Sequence, residues 1–366
     1  MKKTVFFTAI LMAFALISCN NTRRIDATKW LNSFSDAKTA AQQADKKIIL
    51  FVSADDSDNL SAVLKENILF KDEFVAAETQ KYVLVNLDFS ESVYEAAQVP
   101  EDASSAEKKA AAAAKKQLEE NMDVATYYSV QMSPTIYLLS KEGYVIVQLV
   151  LDDAVTSIEA FDAEVDSHAE KIKAFDEALE KTKKGTNLEK VSAIDDFYAL
   201  TERRHAYHLA PLAREVLKLD PKNESGLAGK YVIELAQVEA TDYALKNDMS
   251  GMATAFEKAA KNDLLTAEQK QEMYYYAGYY LGGSGSTDYT RVRDYIQKAY
   301  DACPDSDVAP EIQNLIHIVD ERIAETSQMN EEVKIEGLSD EPVADDSAES
   351  AAGQETASEN TKEEEH

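Results

Sequence analysis

The side chains that could do covalent or metal chemistry are few and far apart in this 366-residue sequence. Its two cysteines, Cys19 and Cys303, lie near opposite ends of the chain and predict neither a disulfide framework nor a zinc cluster. The run 203–205 (Arg-Arg-His) and His208 are basic, but no acidic residue lies at a spacing that would make them catalytic. We interpret them as a salt-bridged surface. The sequence predicts no catalytic residue, cofactor or metal site.

The loop 55–59 is a dense cluster of polar side chains. It reads Asp-Asp-Ser-Asp-Asn, with Ser57 at its centre. Hard cations such as Ca²⁺ prefer clustered carboxylates, but the turn glycine and distal glutamate of an EF-hand loop are missing here. A solvated acidic loop that caps the helix beginning at Leu60 is the favoured interpretation.

The elements that must position this loop follow an α/β pattern. The continuous apolar run in Lys47–Ala54 predicts a strand buried on both faces, and Tyr82–Phe89 predicts a second strand. An antiparallel hairpin is predicted for Ile136–Leu139 and Val145–Leu149. Helical spacing of apolar residues predicts helices over the stretch from Trp30 to Ala44, over Leu60–Phe70 and over Phe161–Leu179, with Trp30 packed against the sheet.

An insertion at residues 90–122 interrupts this pattern. Its middle, Glu107–Gln117, is rich in alanine, lysine and glutamine, which lose little conformational entropy in a helix. It contains few large apolar residues, so we expect a solvated helical arm. A separate short helix is predicted for Val124–Tyr128.

Two motifs flank this insertion. The first is Phe51-Val52-Ser53-Ala54-Asp55 with Ser57 and Leu60 after it, and the second is Tyr128-Ser129-Val130-Gln131-Met132-Ser133-Pro134-Thr135. Their separation and the hairpin that follows make residues 26–168 resemble the thioredoxin superfamily, most closely its periplasmic branch. The resemblance implies that Pro134 is a cis-proline.

The resemblance also shows what is missing, because Ser57 and Leu60 stand where the family has its two cysteines. Dithiol exchange needs a thiolate and a resolving thiol. A serine hydroxyl stays protonated without a nearby base, and leucine has no nucleophilic atom. We therefore expect a redox-inactive domain. In the family the backbone beside the cis-proline pairs with an extended client peptide, which implies a peptide-binding surface at Ser57, Met132, Ser133 and Pro134. The alternative, that Pro134 only shapes a turn, remains open.

The N-terminus predicts where the protein is located in the cell. A basic start and a short apolar run indicate a signal peptide over residues 1–18, and Leu16-Ile17-Ser18-Cys19 resembles the bacterial lipobox. This resemblance implies lipidation of Cys19, a lipidated tether over residues 19–25 and attachment to a membrane through the lipid anchor. We expect a protein of the Gram-negative cell envelope, anchored in the outer membrane and facing the periplasm.

Residues 169–325 predict an all-α domain. Breaks containing glycine, proline and asparagine separate its predicted helices. Leu212–Pro221 and Val292–Pro304 resemble the second helix and exit turn of a tetratricopeptide repeat, although Val216 stands where the first copy should have a small residue. Stacked helical pairs of this kind present a groove to a partner.

The most aromatic stretch of this half is Met273–Tyr280. Tyr276, Tyr279 and Tyr280 could line a groove that binds a peptide or a glycan. Packing between helices, with the hydroxyls at the edge of the core, is the favoured alternative.

The final segment, residues 326–366, predicts a disordered acidic tail. Residues 331–366 contain thirteen Asp and Glu against two lysines and no aromatic residue. The whole chain has a formal net charge of -29, which argues against nucleic-acid binding. The leading hypothesis is an envelope scaffold that binds a protein or peptide client and is not an enzyme. The alternative is an accessory to thiol-disulfide or folding chemistry performed by another protein; catalysis by Cys303 is disfavoured because it has no resolving partner.

Overall fold

The predicted buried strand lies at the centre of the observed sheet. The computed structural model describes residues 25–54, 59–99 and 103–336. In strand β1 (Lys47–Ser53), Ile49 and Phe51 point into one apolar core, and the alternating residues Ile48, Leu50 and Val52 point into another. Both faces of β1 are therefore covered, which explains its uninterrupted apolar sequence.

Four strands form one mixed sheet in the order β2-β1-β3-β4. Strand β2 (Tyr82–Asp88) runs parallel to β1, and β3 (Thr135–Leu139) runs antiparallel to β1 on its other side. Strand β4 (Val145–Leu149) completes the hairpin with β3, as predicted. The hairpin turn contains Gly143 at a φ of +92°, a backbone conformation that glycine adopts without steric cost.

Helices cover this sheet. Helix α1 (Phe34–Ala44) is capped by Ser33, so Trp30 lies before the helix and not within it. The single helix predicted over Leu60–Phe70 is instead α2 (Asn59–Leu64) followed by one π-helical turn (Lys65–Leu69). Helix α3 (Asp72–Lys81) then leads into β2.

The insertion contains α4 (Glu91–Ala96) and one long helix, α5 (Ser105–Tyr127). The helices predicted separately at 107–117 and 124–128 are therefore continuous. A capping box at Ser104 and Glu107 starts α5. Ala111, Leu118 and Asn121 are buried, so the prediction of a fully solvated arm is wrong.

The predicted closing helix is two helices that meet at His168. These are α6 (Ile158–Ser167) and α7 (Ala169–Lys181). The rest of the described chain is helical: α8 (Asn187–Leu200), a 3-10 helix (Arg203–Leu209), α9 (Ala210–Leu219), α10 (Ala228–Ala244), α11 (Met249–Ala260), α12 (Ala267–Gly283), α13 (Tyr289–Ala302) and α14 (Ala309–Glu336). The two segments that resemble repeat helices coincide with α9 and α13.

Helix α14 continues past residue 326, where the acidic tail was predicted to begin, and reaches Glu336. Residues 337–366 of the predicted tail lie outside the described residues. The signal peptide and Cys19 also lie outside them. In the described part of the chain, no helix is long and apolar enough to cross a membrane.

The α/β half and the first helices of the second half share one apolar core. Phe51 in the sheet, Phe161 in α6 and Phe197 in α8 belong to the same buried cluster, which extends to Tyr231 in α10. A second core lies among α10–α14. The core of the sheet therefore crosses the boundary predicted at residue 168.

Candidate functional site

The carboxyl ends of the parallel strands form the edge where the resemblance places the active site. Residues 55–58, which include Ser57, lie outside the described residues. Leu60 is placed in α2, half-buried, with its side chain packed against the core under the sheet. Leu60 is therefore a packing residue at a position where the family has a cysteine.

The polar side chains at this edge are paired with one another. The hydroxyl of the buried Ser53 lies 3.0 Å from Asn86 Oδ1. Two residues further along β2, Asp88 forms an ion pair with Lys65 at 3.3 Å, and Lys65 also lies over the Phe70 ring. The first contact joins β1 to β2, the contacts of Lys65 hold the π-helical turn against the sheet, and neither pair provides an activated nucleophile.

Met132, Ser133 and Pro134 form the loop that leads into β3, and the Ser133–Pro134 peptide bond is cis, as the resemblance implied. The Thr135 hydroxyl donates a 2.7 Å hydrogen bond to the Met132 carbonyl, which fixes the loop against the first residue of β3. The Met132 side chain is 72% exposed, while Ser133 and Pro134 are half-buried. Met132 is thus a large apolar side chain presented to solvent from an anchored backbone.

Trp30 has a structural role, in agreement with the sequence analysis. Its indole Nε1 donates to the Leu69 carbonyl at 2.7 Å, and its ring stacks on Phe70 with 5.3 Å between centroids. It also contacts Phe51 of the sheet. Trp30 therefore satisfies a carbonyl at the end of the π-helical turn.

The basic patch predicted at 203–208 is in large part a buried junction. Since residues three apart lie on one side of a 3-10 helix, His205 and His208 both point inward and are 3% and 1% exposed. The His208 ring lies 4.4 Å from the Tyr127 ring of α5, and His205 contacts Tyr137 of β3. The prediction of a surface patch is wrong for both histidines, because the sequence does not show that α5 and β3 cover them.

The three tyrosines predicted as a groove lie on α12 beside two neighbouring cavities: Tyr276 lines one of them, and Tyr279 and Tyr280 both line the other. Tyr276 and Tyr280 pack against Phe256 of α11, which supports the packing interpretation for these two rings. Tyr279 is 58% exposed and stacks on Tyr275. Tyr275, which sequence reasoning did not single out, lies beside both cavities between α12 and α14.

A metal site is not built by the residues described. Within residues 25–54, 59–99 and 103–336, no group of three or more His, Cys, Asp or Glu side chains is arranged to hold an ion. Most of the acidic loop that suggested calcium lies outside these ranges. Cys303, the free cysteine of the described residues, is half-buried after α13.

Two family models match separate parts of the chain. Residues 34–167 match a family described as a thioredoxin-like domain, and residues 227–325 match one described as an uncharacterised protein C-terminal domain. Over 309 residues the chain is 23% identical to an uncharacterized protein of Treponema pallidum (strain Nichols), with 84% of this chain and 93% of that protein covered. A solved structure titled DsbH Oxidoreductase matches 41% of this chain and 93% of its own length, at 19% identity and a TM-score of 0.29.

The class of the fold follows from the sheet and the family match together. The chain has a thioredoxin-like α/β domain with a four-stranded sheet, followed by a mostly helical region. The alignment with the Treponema pallidum protein is long enough to include both parts.

Proposed function

We propose that this protein is a redox-inactive scaffold of the cell envelope that holds a protein or peptide client against the loop Met132–Pro134. The observation that carries the proposal is the exposure of Met132, at 72%, on a loop anchored by Thr135. A flexible thioether adapts to varied partner surfaces, and a backbone that is already fixed adds little further ordering cost on binding.

The absence of redox chemistry is supported by the side chains at the family's cysteine positions. Leu60 packs into the core and offers no nucleophile. Ser57 would need an adjacent base to become one. Cys303 lies in the helical half, and the other cysteine of the chain, Cys19, is the predicted lipid attachment site.

The proposed localisation follows from Cys19. A diacylated Cys19 would tether the protein to the outer membrane, with the client-binding loop in the periplasm. Radiolabelled palmitate should be incorporated by the wild-type protein and not by the Cys19→Ala variant. Incorporation by both would contradict the anchor and leave the client site untouched.

The client site is tested by photocrosslinking in cells that produce the full chain. A photoreactive phenylalanine analogue replaces Met132 in one variant and Val150 in the control, because Val150 is equally exposed at 76%. We expect one protein to be captured repeatedly at position 132 and not at 150, and to bind the purified wild-type protein more tightly than Met132→Asp. Identical capture at both positions, or none, would overturn the proposal.

An insulin-reduction assay separates the scaffold from an oxidoreductase. We expect no reduction by the wild-type protein. Turnover that the Cys303→Ser variant loses would overturn the redox-inactive assignment. If the captured client is itself a thiol oxidoreductase or a foldase, the protein is an accessory to that chemistry.

A further inference from the structure

Two neighbouring cavities lie between α12 and α14, and the loop Met132–Pro134 lines neither of them. We call the two cavities together the groove. It consists of two adjoining cavities of about 730 Å³ and about 460 Å³. Tyr275 and Leu315 line both cavities and form the boundary between them. Each volume is in the range of ligand pockets, about 300–1,000 Å³.

The larger cavity is acidic. Glu268 and Glu272 of α12 lie on one side. On the other lie Asp307, in the connection before α14, and Glu311, in its first turn. All four side chains are exposed, and no lysine or arginine of the described ranges forms an ion pair with them. Two helix N-termini meet here, but each contributes only about +0.5 charge, so the four carboxylates dominate the local field.

The smaller cavity is apolar. Its lining contains tyrosine, valine, isoleucine, leucine, methionine, glycine and one serine, with no charged residue. Tyr279 of α12 lies on one side of it, and Val319 of α14 lies on the other. The floor is closed by Ile296, whose side chain packs so tightly on Gly278 that any larger residue there would collide with it.

The acidic wall is held in place by a buried amide. Gln271, 3% exposed, donates from Nε2 to the carbonyls of Ala299 and Cys303, at 3.1 and 2.8 Å. Its Oε1 accepts from the Ser306 hydroxyl at 2.6 Å. The connection between α13 and α14 is thereby fixed to α12, and the groove is formed before any ligand arrives.

We propose that this groove binds a short basic segment of another protein, with lysine or arginine at its acidic end and large apolar side chains at its apolar end. Glu268 and Tyr279 are eleven residues apart on α12, a span of about 16 Å and about five extended residues. Charge excludes the chain's own residues 337–366, which are strongly acidic. Because one end of the groove is acidic and the other is apolar, the segment can lie in only one direction.

The test uses three fluorescent 12-residue peptides and the full chain. Each peptide has one half of leucine and phenylalanine and one half whose charged positions are lysine, glutamine or glutamate. We expect the lysine peptide to bind at least tenfold more tightly than the glutamine peptide, and the glutamate peptide not to bind, by fluorescence polarisation. Equal binding of the lysine and glutamine peptides would overturn the proposal.

Two variants of equal net charge distinguish the groove from the acidity of the whole protein. Glu268→Gln/Glu272→Gln/Glu311→Gln removes three carboxylates of the groove, and Glu170→Gln/Glu224→Gln/Glu321→Gln removes three exposed carboxylates elsewhere. We expect the first to weaken binding of the lysine peptide about tenfold and the second less than twofold. Equal losses would show that only the overall charge attracts the peptide.

The apolar end is tested in the same way. Tyr279→Ser should weaken binding of the lysine peptide several-fold. Tyr94→Ser, at a side chain on α4 that is 43% exposed, should leave this binding unchanged. Met132→Asp should also have no effect, so failure at the groove is distinguishable from failure of the client site beside Pro134. Loss of binding in Tyr94→Ser or Met132→Asp would overturn the location.

Discussion

The imidazole rings of His205 and His208 stack with their centroids 5.7 Å apart, inside the junction between the α/β domain and the helices. Nδ1 of His205 and both ring nitrogens of His208 have no hydrogen-bond partner among the described residues. Burial lowers the pKa of His205 to about 4, with a further contribution from Arg204. Burial and the neighbouring His205 lower the pKa of His208 to about 3.

These lowered pKa values predict that the protein loses stability as the pH falls. A histidine in the unfolded chain has a pKa of about 6.5. Between that pH and about 4, the unfolded chain therefore binds protons that the folded chain does not. Each histidine should therefore lower the free energy of unfolding by about 1.4 kcal/mol per pH unit in that window. Urea denaturation at intervals from pH 7.5 to 4 measures the slope.

The variant His208→Phe isolates this effect from that of the carboxylates. Phenylalanine keeps a ring among Tyr127, Tyr128 and Tyr207 and removes two unpaired nitrogens, so stability at pH 7.5 should be unchanged or higher. Below pH 6 the variant should lose stability less steeply than the wild type. Identical slopes would mean that His208 is not the titrating group.

The shared core predicts that the two halves unfold together. Phe197 of α8 is fully buried and packs on Phe175 and on Tyr144 of the hairpin. Phe197→Ala should lower the free energy of unfolding by about 3–5 kcal/mol. Trp30, the single tryptophan, lies in the α/β half, so its fluorescence should shift to the same lower urea midpoint as the far-UV circular dichroism.

An ion pair across the same junction should contribute less to stability than the ring of Phe197. Lys47 and Asp176 are 2.8 Å apart but partly solvated, so Asp176→Asn should cost less than about 1 kcal/mol. If Phe197→Ala moved the circular dichroism midpoint and left the Trp30 midpoint in place, the halves would be independent folding units.

The elements of the α/β half were predictable because its apolar patterns are strong. Five consecutive apolar residues in β1 indicated a strand covered on both faces, and the structure confirms it. The junction between α6 and α7 was missed because nothing in Phe161–Leu179 breaks the helical pattern: no glycine or proline lies there. The continuity of α5 was missed because most of its residues are polar, and burial of Ala111 and Leu118 depends on distant contacts.

The sites were less predictable, since they depend on residues far apart in the sequence. The loop Met132–Pro134 was located by its motif. The burial of His205 and His208 depends on Tyr137 and Tyr127, about seventy and about eighty residues earlier in the chain. Likewise, the acidic groove joins Glu268 to Asp307, and only the packing of α12, α13 and α14 brings these carboxylates together.

Trp30 predicts a measurable hydrogen-bond contribution at the end of the π-helical turn. Trp30→Phe keeps an aromatic ring against Phe70 but removes the donor to the Leu69 carbonyl. We expect the free energy of unfolding to fall by about 1–3 kcal/mol, measured by circular dichroism in urea. Phe70→Leu, which alters an exposed ring and leaves the hydrogen bond intact, should cost less; a larger cost for Phe70→Leu would assign the stability to stacking.

The three hydrogen bonds of Gln271 predict that the groove and the stability of the helical half are linked. Gln271→Met preserves the length of the side chain but leaves the carbonyls of Ala299 and Cys303 and the Ser306 hydroxyl without this partner. Buried groups left unsatisfied cost about 1–3 kcal/mol, so the free energy of unfolding should fall by at least that amount. Gln313→Met, on the exposed face of α14, is the matched control and should be nearly neutral.

Because Gln271 fixes α14 to α12, Gln271→Met should also weaken binding of the lysine peptide under conditions where the protein is fully folded. If it unfolds more easily and still binds the peptide with wild-type affinity, the amide stabilises the fold but does not organise the groove.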